Sequence, residues 1–466
     1  MKQQRIEPGP PGAYDEVLRE LGVRHEQEHL LTFPTVLNLG DQSIEDAFHQ
    51  TTEAVLSNEP VIYQPALMTT LTQNGQTYPV VGLPDFLIKT DDGYAVRDVK
   101  MSRRINEKDH PEIIQQLHLY GWLYEQVFST PPIRLEVFSG TSEVVDIPWD
   151  DWDMVLDQLG YVIQLRESNQ DPYSPVGWSK CNGCGYFDRC WPAAVERKDV
   201  ALIEGVDQGL ATALRDLGVN TYPELPTRFD VGQLAEFKRP WGSRMQRVGK
   251  AAESVLRMAE VMESGQEVII QQPDIPASSN YVMFDLEGLP PHLDELDKIF
   301  LWGMQVFGET PSEFIAAQAG FGPDGDKEGW DDFLVKADTL FKKYGDIPFV
   351  HWHHYEKTHI RKYIERYGDP DGIAERVLGN LFDLLPVVKK SIALPLPSYS
   401  LKVVEQYVGF KRSQDEYGGD WAMAQYIKAT ETGDEQLRQE IMDQVLTYNK
   451  EDLAATWAVL MWGSSK

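Results

Sequence analysis

Two carboxylates and a lysine on neighbouring predicted strands could hold a divalent cation. Asp85 follows the apolar stretch VVGLP, and Asp98 and Lys100 alternate along the next predicted strand, GYAVRDVK. Side chains alternate between the faces of a strand, so Asp98 and Lys100 share one face. Metal-dependent phosphodiester cleavage requires carboxylates around one or two divalent ions, and a group that activates water and neutralises the developing charge. The pattern predicts a site for this chemistry.

A second acidic set lies in the C-terminal part of the chain. In YVMFDLEG, Asp285 and Glu287 are two positions apart at the end of an apolar strand, so both can bind the same ion. Tyr448 and Asp452 in TYNKEDLAAT are four positions apart, and helical spacing places the phenol beside the carboxylate. Glu356 follows a further predicted strand, PFVHW. These residues predict a second metal site.

The first set resembles the PD-(D/E)xK nuclease superfamily. The resemblance rests on Pro84-Asp85, on the D-x-K pair, and on Gln116 followed four residues later by Tyr120, an element characteristic of the RecB-like branch. It implies that Gln116 and Tyr120, on one face of a helix, reach the same phosphate or metal-bound water. It also implies a third metal ligand from an upstream helix, matched by Glu26. Lys100 would stabilise charge and activate water.

The second set resembles the DEDD exonucleases and RNase H-like domains of the YprB type. The D-x-E pair matches the first family motif, Tyr355-Glu356 matches the second, and the Y-x-x-x-D spacing marks the tyrosine subtype. His351 and Glu356 depart from the Asn and Asp of many relatives. Two nearby polar residues, Asp383 in LFDLL and Lys402 in SYSLKVVEQYVG, are interpreted as structural.

The second resemblance implies a site with two divalent ions, Mg²⁺ or Mn²⁺. One ion would activate the attacking water and the other would stabilise the leaving oxygen, while Tyr448 orients the water. By family analogy the site trims 3′ ends. The implied metal ligands are Asp285, Glu287, Glu356 and Asp452.

Three cysteines, Cys181, Cys184 and Cys190, are spaced C-x2-C-x5-C in a Gly-rich predicted loop. Thiolates with this spacing can surround a soft metal centre, either an iron–sulfur cluster or zinc. The RecB-like resemblance implies a [4Fe–4S] cluster, but its fourth cysteine has no counterpart here. Three explanations stay open: the true start lies upstream of Met1, another ligand such as His substitutes, or the cluster is lost and the thiols are free.

The middle of the chain is predicted to be helical, without strands, and to contact phosphates. ALIEGVDQGLATALRDLGVNTYPEL resembles a helix–hairpin–helix whose turn, at Gly205 and Val206, offers backbone N–H groups to a phosphate, although a structural connector is an equal alternative. The segment KRPWGSRMQRVGK carries five positive charges and no acid, and such a segment can meet a nucleic-acid backbone and stack a base. The predicted contacts are Lys238, Arg239, Trp241, Arg244, Arg247 and Lys250.

Length and composition favour a globular protein with several domains. The chain has 466 residues, and 42% hydrophobic with 11% aromatic residues exclude global disorder. The chain has no apolar run long enough for a membrane span and no signal peptide, which predicts a cytoplasmic protein. The net charge of −30 argues against phosphate binding over the whole surface, so we expect it at metal ions and at the basic segment.

Together these patterns predict an α/β multidomain fold. We expect a PD-(D/E)xK restriction-endonuclease-like domain at 1–195, a helical helix–hairpin–helix-like connector at 196–270, and an RNase H-like α/β domain at 278–466. This order resembles a bacterial family of RecB-like nucleases.

The predicted function is a metal-dependent nuclease with two active sites. Its substrate would be DNA or RNA, with DNA favoured, single-stranded or at ends. A protein partner from a repair, defence or helicase-associated pathway is a further expectation. Two alternatives stay open. One is a nucleic-acid-binding adaptor with one or both sites inactive, because charged strand residues usually face water and a fold does not guarantee activity. The other is one working exonuclease with the first unit as a clamp.

Overall fold

The computed structural model describes residues 7–168, 175–242, 244–289, 297–322, 324–413 and 418–466. Its N-terminal part is a mixed six-stranded sheet with the order β1-β2-β5-β6-β7-β8 and a separate β3–β4 hairpin. The helices are α1 (Ala13–Leu30), α2 (Ile44–Leu56), α3 (Pro111–Phe128) and α4 (Asp153–Glu167). The strands are β1 (Leu37–Asn38), β2 (Val61–Tyr63), β3 (Leu67–Gln73), β4 (Gln76–Gly82), β5 (Phe86–Lys89), β6 (Tyr94–Val99), β7 (Arg134–Phe138) and β8 (Val144–Ile147).

The centre of this sheet brings two predicted site residues side by side. β6 is central, antiparallel to β5 and parallel to β7, and its sequence YAVRDV is almost wholly buried, as expected for a strand covered on both faces. Phe86 pairs with Arg97, so Asp85, which precedes β5, lies beside Asp98 near the end of β6. Helix α3 buries an apolar face that includes Leu117 in the core beneath β6.

The connector contains a β-hairpin that the sequence analysis did not predict. Two helices, α5 (Trp178–Cys181) and α6 (Phe187–Arg197), precede the connector, whose own elements are α7 (Gln208–Asp216), α8 (Leu225–Arg228), α9 (Val231–Glu236), β9 (Lys238–Trp241), β10 (Arg244–Arg247), α10 (Ala252–Ser264) and β11 (Val268–Ile269). Trp241 pairs with Arg244, and Gly242 between them has φ +57°, a value that favours glycine. The prediction of a helical middle segment without strands was wrong here, because Met245 lies in β10 and α10 begins only at Ala252.

The C-terminal part is an α/β unit with a five-stranded sheet of order β14-β13-β12-β15-β16. The strands are β12 (Asn280–Gly288), β13 (Ile299–Gly308), β14 (Ile315–Gln318), β15 (Phe349–His351), β16 (Leu381–Asp383) and β17 (Ile392–Ala393), of which β17 pairs with β11 instead. The helices are α11 (Gly325–Tyr344), α12 (Tyr355–Tyr367), α13 (Ile373–Asn380), α14 (Leu384–Ser391), α15 (Leu401–Tyr407), α16 (Gly419–Glu431) and α17 (Glu435–Ser464). β12 is the middle strand, antiparallel to β13 and parallel to β15.

Helix α1 joins the N-terminal sheet to the C-terminal unit. Val17, on its first half, is buried in an apolar cluster with Phe300, Tyr426 and Met442. An ion pair of 2.8 Å between Arg24 and Glu431 adds a partly exposed contact between α1 and the end of α16. The second half of the same helix carries a predicted site residue, so one helix serves both units.

Candidate active sites

Aromatic packing fixes the part of α1 that carries Glu26. The rings of His25 and His29 stack on Phe138 at the end of β7, with centroids 5.0 and 3.8 Å from its ring. The His25 Nε2 atom also lies 2.9 Å from the carbonyl oxygen of Ser139. These contacts hold the helix against the ends of the central strands, where Asp85 and Asp98 lie.

A glutamine that the sequence analysis missed bridges two of the predicted ligands. Gln64 Nε2 donates to Glu26 Oε1 at 2.5 Å and lies 3.4 Å from Asp85 Oδ1. The other Asp85 oxygen, Oδ2, accepts the Val99 N–H at 2.7 Å. Gln64 has φ +53°, an uncommon conformation for a residue other than glycine, and it follows β2 without any motif that marks it.

The D-x-K pair and the Q-x-x-x-Y pair each make the contact that their spacing predicts. Lys100 Nζ lies 2.6 Å from Oδ2 of Asp98, which is almost fully buried. Gln116 Nε2 donates to the Tyr120 hydroxyl at 2.7 Å. Burial, followed by the negative charge of Asp98, raises the pKa of Tyr120 above its usual value. The phenol therefore stays protonated and can donate a hydrogen bond.

The carboxylates of the first site repel one another in the absence of a cation. Burial, then the charges of Asp98 and Glu26, raise the pKa of Asp85 to about 9. A divalent cation would remove this cost, because it favours the ionised forms of the acids. The chemistry of Glu26, Asp85 and Asp98 suits a divalent metal ion, but one oxygen from each does not lie within 4.8 Å of the other two in this structure.

Three acids of the second site converge closely. One ligand oxygen from each of Asp285, Glu287 and Asp452 lies within 4.8 Å of the other two, and this is the one such group of His, Cys, Asp and Glu residues in the described ranges. β12 supplies the first two acids and α17 supplies the third. Burial, then the charges of neighbouring acids, raise the pKa of Asp285 well above its usual range and that of Glu287 to about 8. The cluster suits a divalent metal ion.

Glu356 does not join this cluster. Its carboxylate lies 2.9 Å from Nδ1 of His351, and both side chains are almost fully buried. Glu356 is still close enough for its charge to raise the pKa of Asp285, behind larger effects of burial, Glu287 and Asp452. Three of the four predicted ligands thus converge, and the fourth, Glu356, pairs with His351 instead.

Lys402 was interpreted as structural from its sequence, and the structure places it at the second site. Its Nζ lies 2.6 Å from Asp452 Oδ1 and 4.3 Å from the centre of the Tyr448 ring. Arg412 also contacts Asp452, and it forms two hydrogen bonds of 2.7 Å to Glu405. No spacing in the sequence links these cations to an acid 40 to 50 residues away.

Of two further residues near the second site, one caps a helix and the other bonds a carboxylate of the site. Asp383 caps α14 by accepting the Leu385 N–H at 3.2 Å, which agrees with its interpretation as structural. Asn449, which the sequence analysis did not consider, donates its amide to Asp285 Oδ2 at 2.7 Å. The residue lies between Tyr448 and Asp452 on α17, so the same motif carries a third polar group to the site.

The three cysteines lie on helices and in the turn between them, not in an open loop. Cys181 ends α5, Cys190 lies in α6, and Cys184 is exposed between them. Their sulfur atoms are not all within 4.8 Å of one another, so this arrangement does not fit a single zinc ion. Gly9 N–H donates to the carbonyl oxygen of Gly185 at 2.6 Å, so the N-terminal segment meets the cysteine segment.

The basic segment is an exposed hairpin of β9 and β10. Trp241 is 57% exposed, and the Arg239 guanidinium lies 4.6 Å from its ring centre. Two of the predicted phosphate contacts already have acidic partners, Arg239 with Asp207 at 2.7 Å and Arg247 with Glu236 at 3.1 Å. The exposed side chains of Lys238, Arg244 and Lys250 complete the set.

One backbone donor of the predicted helix–hairpin–helix turn is used internally, since the Val206 N–H donates to the Ile203 carbonyl oxygen at 3.0 Å. The segment before the turn is a short 3₁₀ helix, Val200–Leu202, and not a full helix. Asp207 caps α7 by accepting the Leu210 N–H at 2.9 Å. A Cβ atom at Gly209 would overlap the Pro240 carbonyl oxygen, so the β9–β10 hairpin packs on this helix end. The start of α7 is therefore covered by the hairpin.

Two known families match separate parts of the chain. The PD-(D/E)XK nuclease superfamily matches residues 12–191, and the RNase_H superfamily matches residues 282–463. The chain carries two nuclease-superfamily domains. The PD-(D/E)XK domain contains Glu26, Asp85 and Asp98, and the RNase H-like domain contains the cluster of three acids. The predicted α/β fold with these two domains is confirmed.

Other comparisons add little to these two matches. No curated protein matches the chain. A solved chain described as "Crystal structure of SSO0001" is 17% identical and covers 38% of this chain and 96% of its own length, with a TM-score of 0.22, too low to support an argument. Within the described ranges, no helix is both long and apolar enough to cross a membrane.

Proposed function

We propose that the protein is a nuclease that depends on Mg²⁺ or Mn²⁺ and has two separate active sites. The observation that carries the proposal is the convergence of Asp285, Glu287 and Asp452 within 4.8 Å inside a domain that matches the RNase_H superfamily. Divalent metal ions at such sites polarise the phosphate and lower the pKa of a bound water. The residues around the ions then position the substrate and manage its charge.

In the first site, Glu26, Asp85 and Asp98 hold the metal ion. The Lys100 ammonium, now against Asp98, is placed to neutralise charge on the phosphate and to assist the attacking water. Gln116 and Tyr120 form a hydrogen-bonded pair that can orient a phosphate oxygen or water. The burial of these groups strengthens each of these interactions, because water screens them less.

In the second site, Asp285, Glu287 and Asp452 are the metal ligands, and Glu356 approaches from α12. Burial, then the charge of Asp452, raise the pKa of the Tyr448 phenol well above its usual value, so it stays protonated and can donate to an oxygen of the scissile phosphate or its water. This site is the proposed DEDD-type exonuclease that acts on 3′ ends. The Lys402 ammonium adds a positive charge beside it.

The β9–β10 hairpin is the proposed path for a single strand of nucleic acid. Its exposed tryptophan offers a stacking surface, while Lys238, Arg244 and Lys250 offer charges to phosphates. The rest of the chain is strongly acidic, so binding without metal ions should be weak. DNA is the favoured substrate. We also propose that the connector spans 196–270, between domains at 1–195 and 278–466.

Three further parts of the proposal concern the surroundings of the enzyme. A [4Fe–4S] cluster at Cys181, Cys184 and Cys190 would need a fourth ligand and would tie the cysteine segment to the domain. Anaerobically purified protein should then be brown, and colourless protein with three free thiols would contradict the cluster. We also propose a cytoplasmic location and a protein partner from a repair, defence or helicase-associated pathway.

The test is cleavage of end-labelled single- and double-stranded DNA and RNA with Mg²⁺ or Mn²⁺. Asp98→Asn and Asp285→Asn should remove separable activities. Matched controls at exposed acids, Asp91→Asn beside the first site's strand and Asp443→Asn on α17, should retain both. Absence of metal-dependent cleavage on every substrate would rule out the enzyme.

One observation favours a second candidate function. Because Glu356 pairs with His351 outside the three-acid cluster, the RNase H-like domain could bind nucleic acid without cleaving it. The protein would then be an adaptor with one or no working site. In that case the same panel shows binding to labelled strands, together with cleavage that Asp285→Asn does not change.

A further inference from the structure

The Asn449 side chain contacts the two acids of β12 from the opposite helix. It is fully buried on α17. Its Nδ2 donates to Asp285 Oδ2 at 2.7 Å and lies 3.4 Å from Glu287 Oε1. A side-chain amide has two N–H donors, so one group can contact both carboxylates. Asn449 therefore fixes the direction in which these oxygens point.

The other side of the same amide faces a glycine in the neighbouring strand. Gly303 lies directly opposite Asp285 in the β12–β13 register. A Cβ atom at this position would overlap Asn449 Oδ1 and lie 2.8 Å from its Cγ. Gly303 has Trp302 and Met304 as neighbours in a buried strand, where a glycine weakens the strand and usually marks a close approach of another group.

The environment of the amide oxygen is consistent with this close fit. Within the described ranges, Asn449 Oδ1 is buried without a hydrogen-bond partner. The Gly303 hydrogen that takes the direction of the missing Cβ points at this oxygen, a weak C–H···O contact. Burying an amide without full hydrogen bonding costs free energy, and an apolar residue would fill a helix–sheet interface without that cost. The carboxylates on the other side explain why an amide occupies the position.

We propose that Asn449 and Gly303 form a positioning pair that aligns the carboxylates of Asp285 and Glu287 for divalent metal ions. The inference rests on the proposed function of the second site. Asn449 supplies the hydrogen bonds, and Gly303 leaves the space that the amide needs. Without the amide, the two carboxylates are free to rotate, and the protein must order them when the metal ion binds.

The test measures Mn²⁺ binding to the full chain by electron paramagnetic resonance, in an Asp98→Asn background that removes a ligand of the first site. Asn449→Ala should weaken Mn²⁺ binding by about 10–100-fold, the usual effect of losing a group that orients metal ligands. Gly303→Ala should weaken it comparably by displacing the amide. In the Asn449→Ala background, Gly303→Ala should add less than about threefold, because the conflicting group is gone.

Two controls separate this inference from the proposed function. Thr456→Val removes a buried hydroxyl from the same helix, one that bonds the Asp452 carbonyl oxygen and no carboxylate, and it should leave Mn²⁺ binding unchanged. Asp285→Asn removes a ligand and should abolish binding at this site. If Asp285→Asn leaves both binding and cleavage intact, the proposed function fails.

The positioning pair itself is contradicted by other results. If Asp285→Asn abolishes binding while Asn449→Ala changes it less than about twofold, the pair has no positioning role. The same conclusion follows if Gly303→Ala weakens Mn²⁺ binding equally whether Asn449 is present or replaced by alanine. Should Gly303→Ala fail to fold alone, the double variant is expected to recover folding, and failure to recover contradicts the pair. Cleavage by Asn449→Ala should also recover at saturating Mn²⁺.

Discussion

Replacing Glu287 by Gln should stabilise the metal-free protein while removing the response of the second site to metal ions. Burial, then the charge of Asp452, raise the pKa of Glu287 from 4.5 to about 8. A carboxyl whose pKa is higher in the folded state than in the unfolded state costs no stability when the pH is below its unfolded-state pKa. The cost grows as the pH rises from 4.5 to about 8 and is constant above that.

The size of the effect follows from the shift. At pH 7, about 2.5 units above the unfolded-state pKa, the unfolded state has released the proton that the folded state still holds, and this difference costs folding about 3 kcal/mol at 1.36 kcal/mol per unit. Glutamine carries no charge and avoids this cost. For a domain of this size, a gain of about 3 kcal/mol raises the melting temperature by up to about 10 °C.

The assay is differential scanning calorimetry in EDTA at pH 5, 7 and 8. The Glu287→Gln variant should melt higher than wild type at pH 7 and 8, and the difference should shrink at pH 5. In an Asp98→Asn background, which removes a ligand of the first site, adding Mn²⁺ should raise the melting temperature of the protein that keeps Glu287 and have little effect on the one that carries Glu287→Gln. A matched control is Glu405→Gln, a buried glutamate paired with Arg412, which should instead lower the melting temperature. The reasoning is refuted if the Glu287→Gln variant melts at or below the wild-type temperature at pH 8. It is also refuted if the difference in melting temperature between variant and wild type is as large at pH 5 as at pH 8.

Three further predictions test other parts of the account. Lys402→Met should slow the cleavage that survives in an Asp98→Asn background by about 10–100-fold, with little change in melting temperature; an unchanged rate would assign the lysine to structure alone. Gly82→Ala places a Cβ 2.5 Å from Leu123 Cδ1 and should destabilise the PD-(D/E)XK domain by about 1–3 kcal/mol, measured by thermal unfolding; unchanged unfolding would contradict this tight packing. Arg244→Ser, in the exposed hairpin, should reduce the slope of log affinity against log salt by about one, measured by fluorescence anisotropy on a labelled single strand, and an unchanged slope would remove this residue from the proposed path.

Sequence patterns were informative where local spacing decides the geometry. Asp98 and Lys100 alternate on one strand, and the structure pairs them at 2.6 Å. Gln116 and Tyr120 share a helix face and bond to each other at 2.7 Å. In both pairs the period of a single element places the side chains, so the tertiary structure adds only the position of that element.

Contacts between distant segments could not be predicted in this way. Lys402 reaches Asp452 only because α15 and α17 pack side by side, and no spacing in the chain records that packing. Gln64 lies between Glu26 and Asp85 for a similar reason. The β9–β10 hairpin was missed because KRPW and RMQR lack the apolar alternation of a strand, and its packing against α7 at Gly209 supplies the contacts instead.

The most direct measurement of the central claim is cleavage of end-labelled oligonucleotides by the double variant Asp98→Asn/Asp285→Asn, beside wild type and both single variants. The account predicts that wild type degrades at least one substrate with Mg²⁺ or Mn²⁺, that each single variant keeps a different part of this activity, and that the double variant has none. Cleavage by the double variant at the wild-type rate would contradict the claim that these two acidic sites carry the activity.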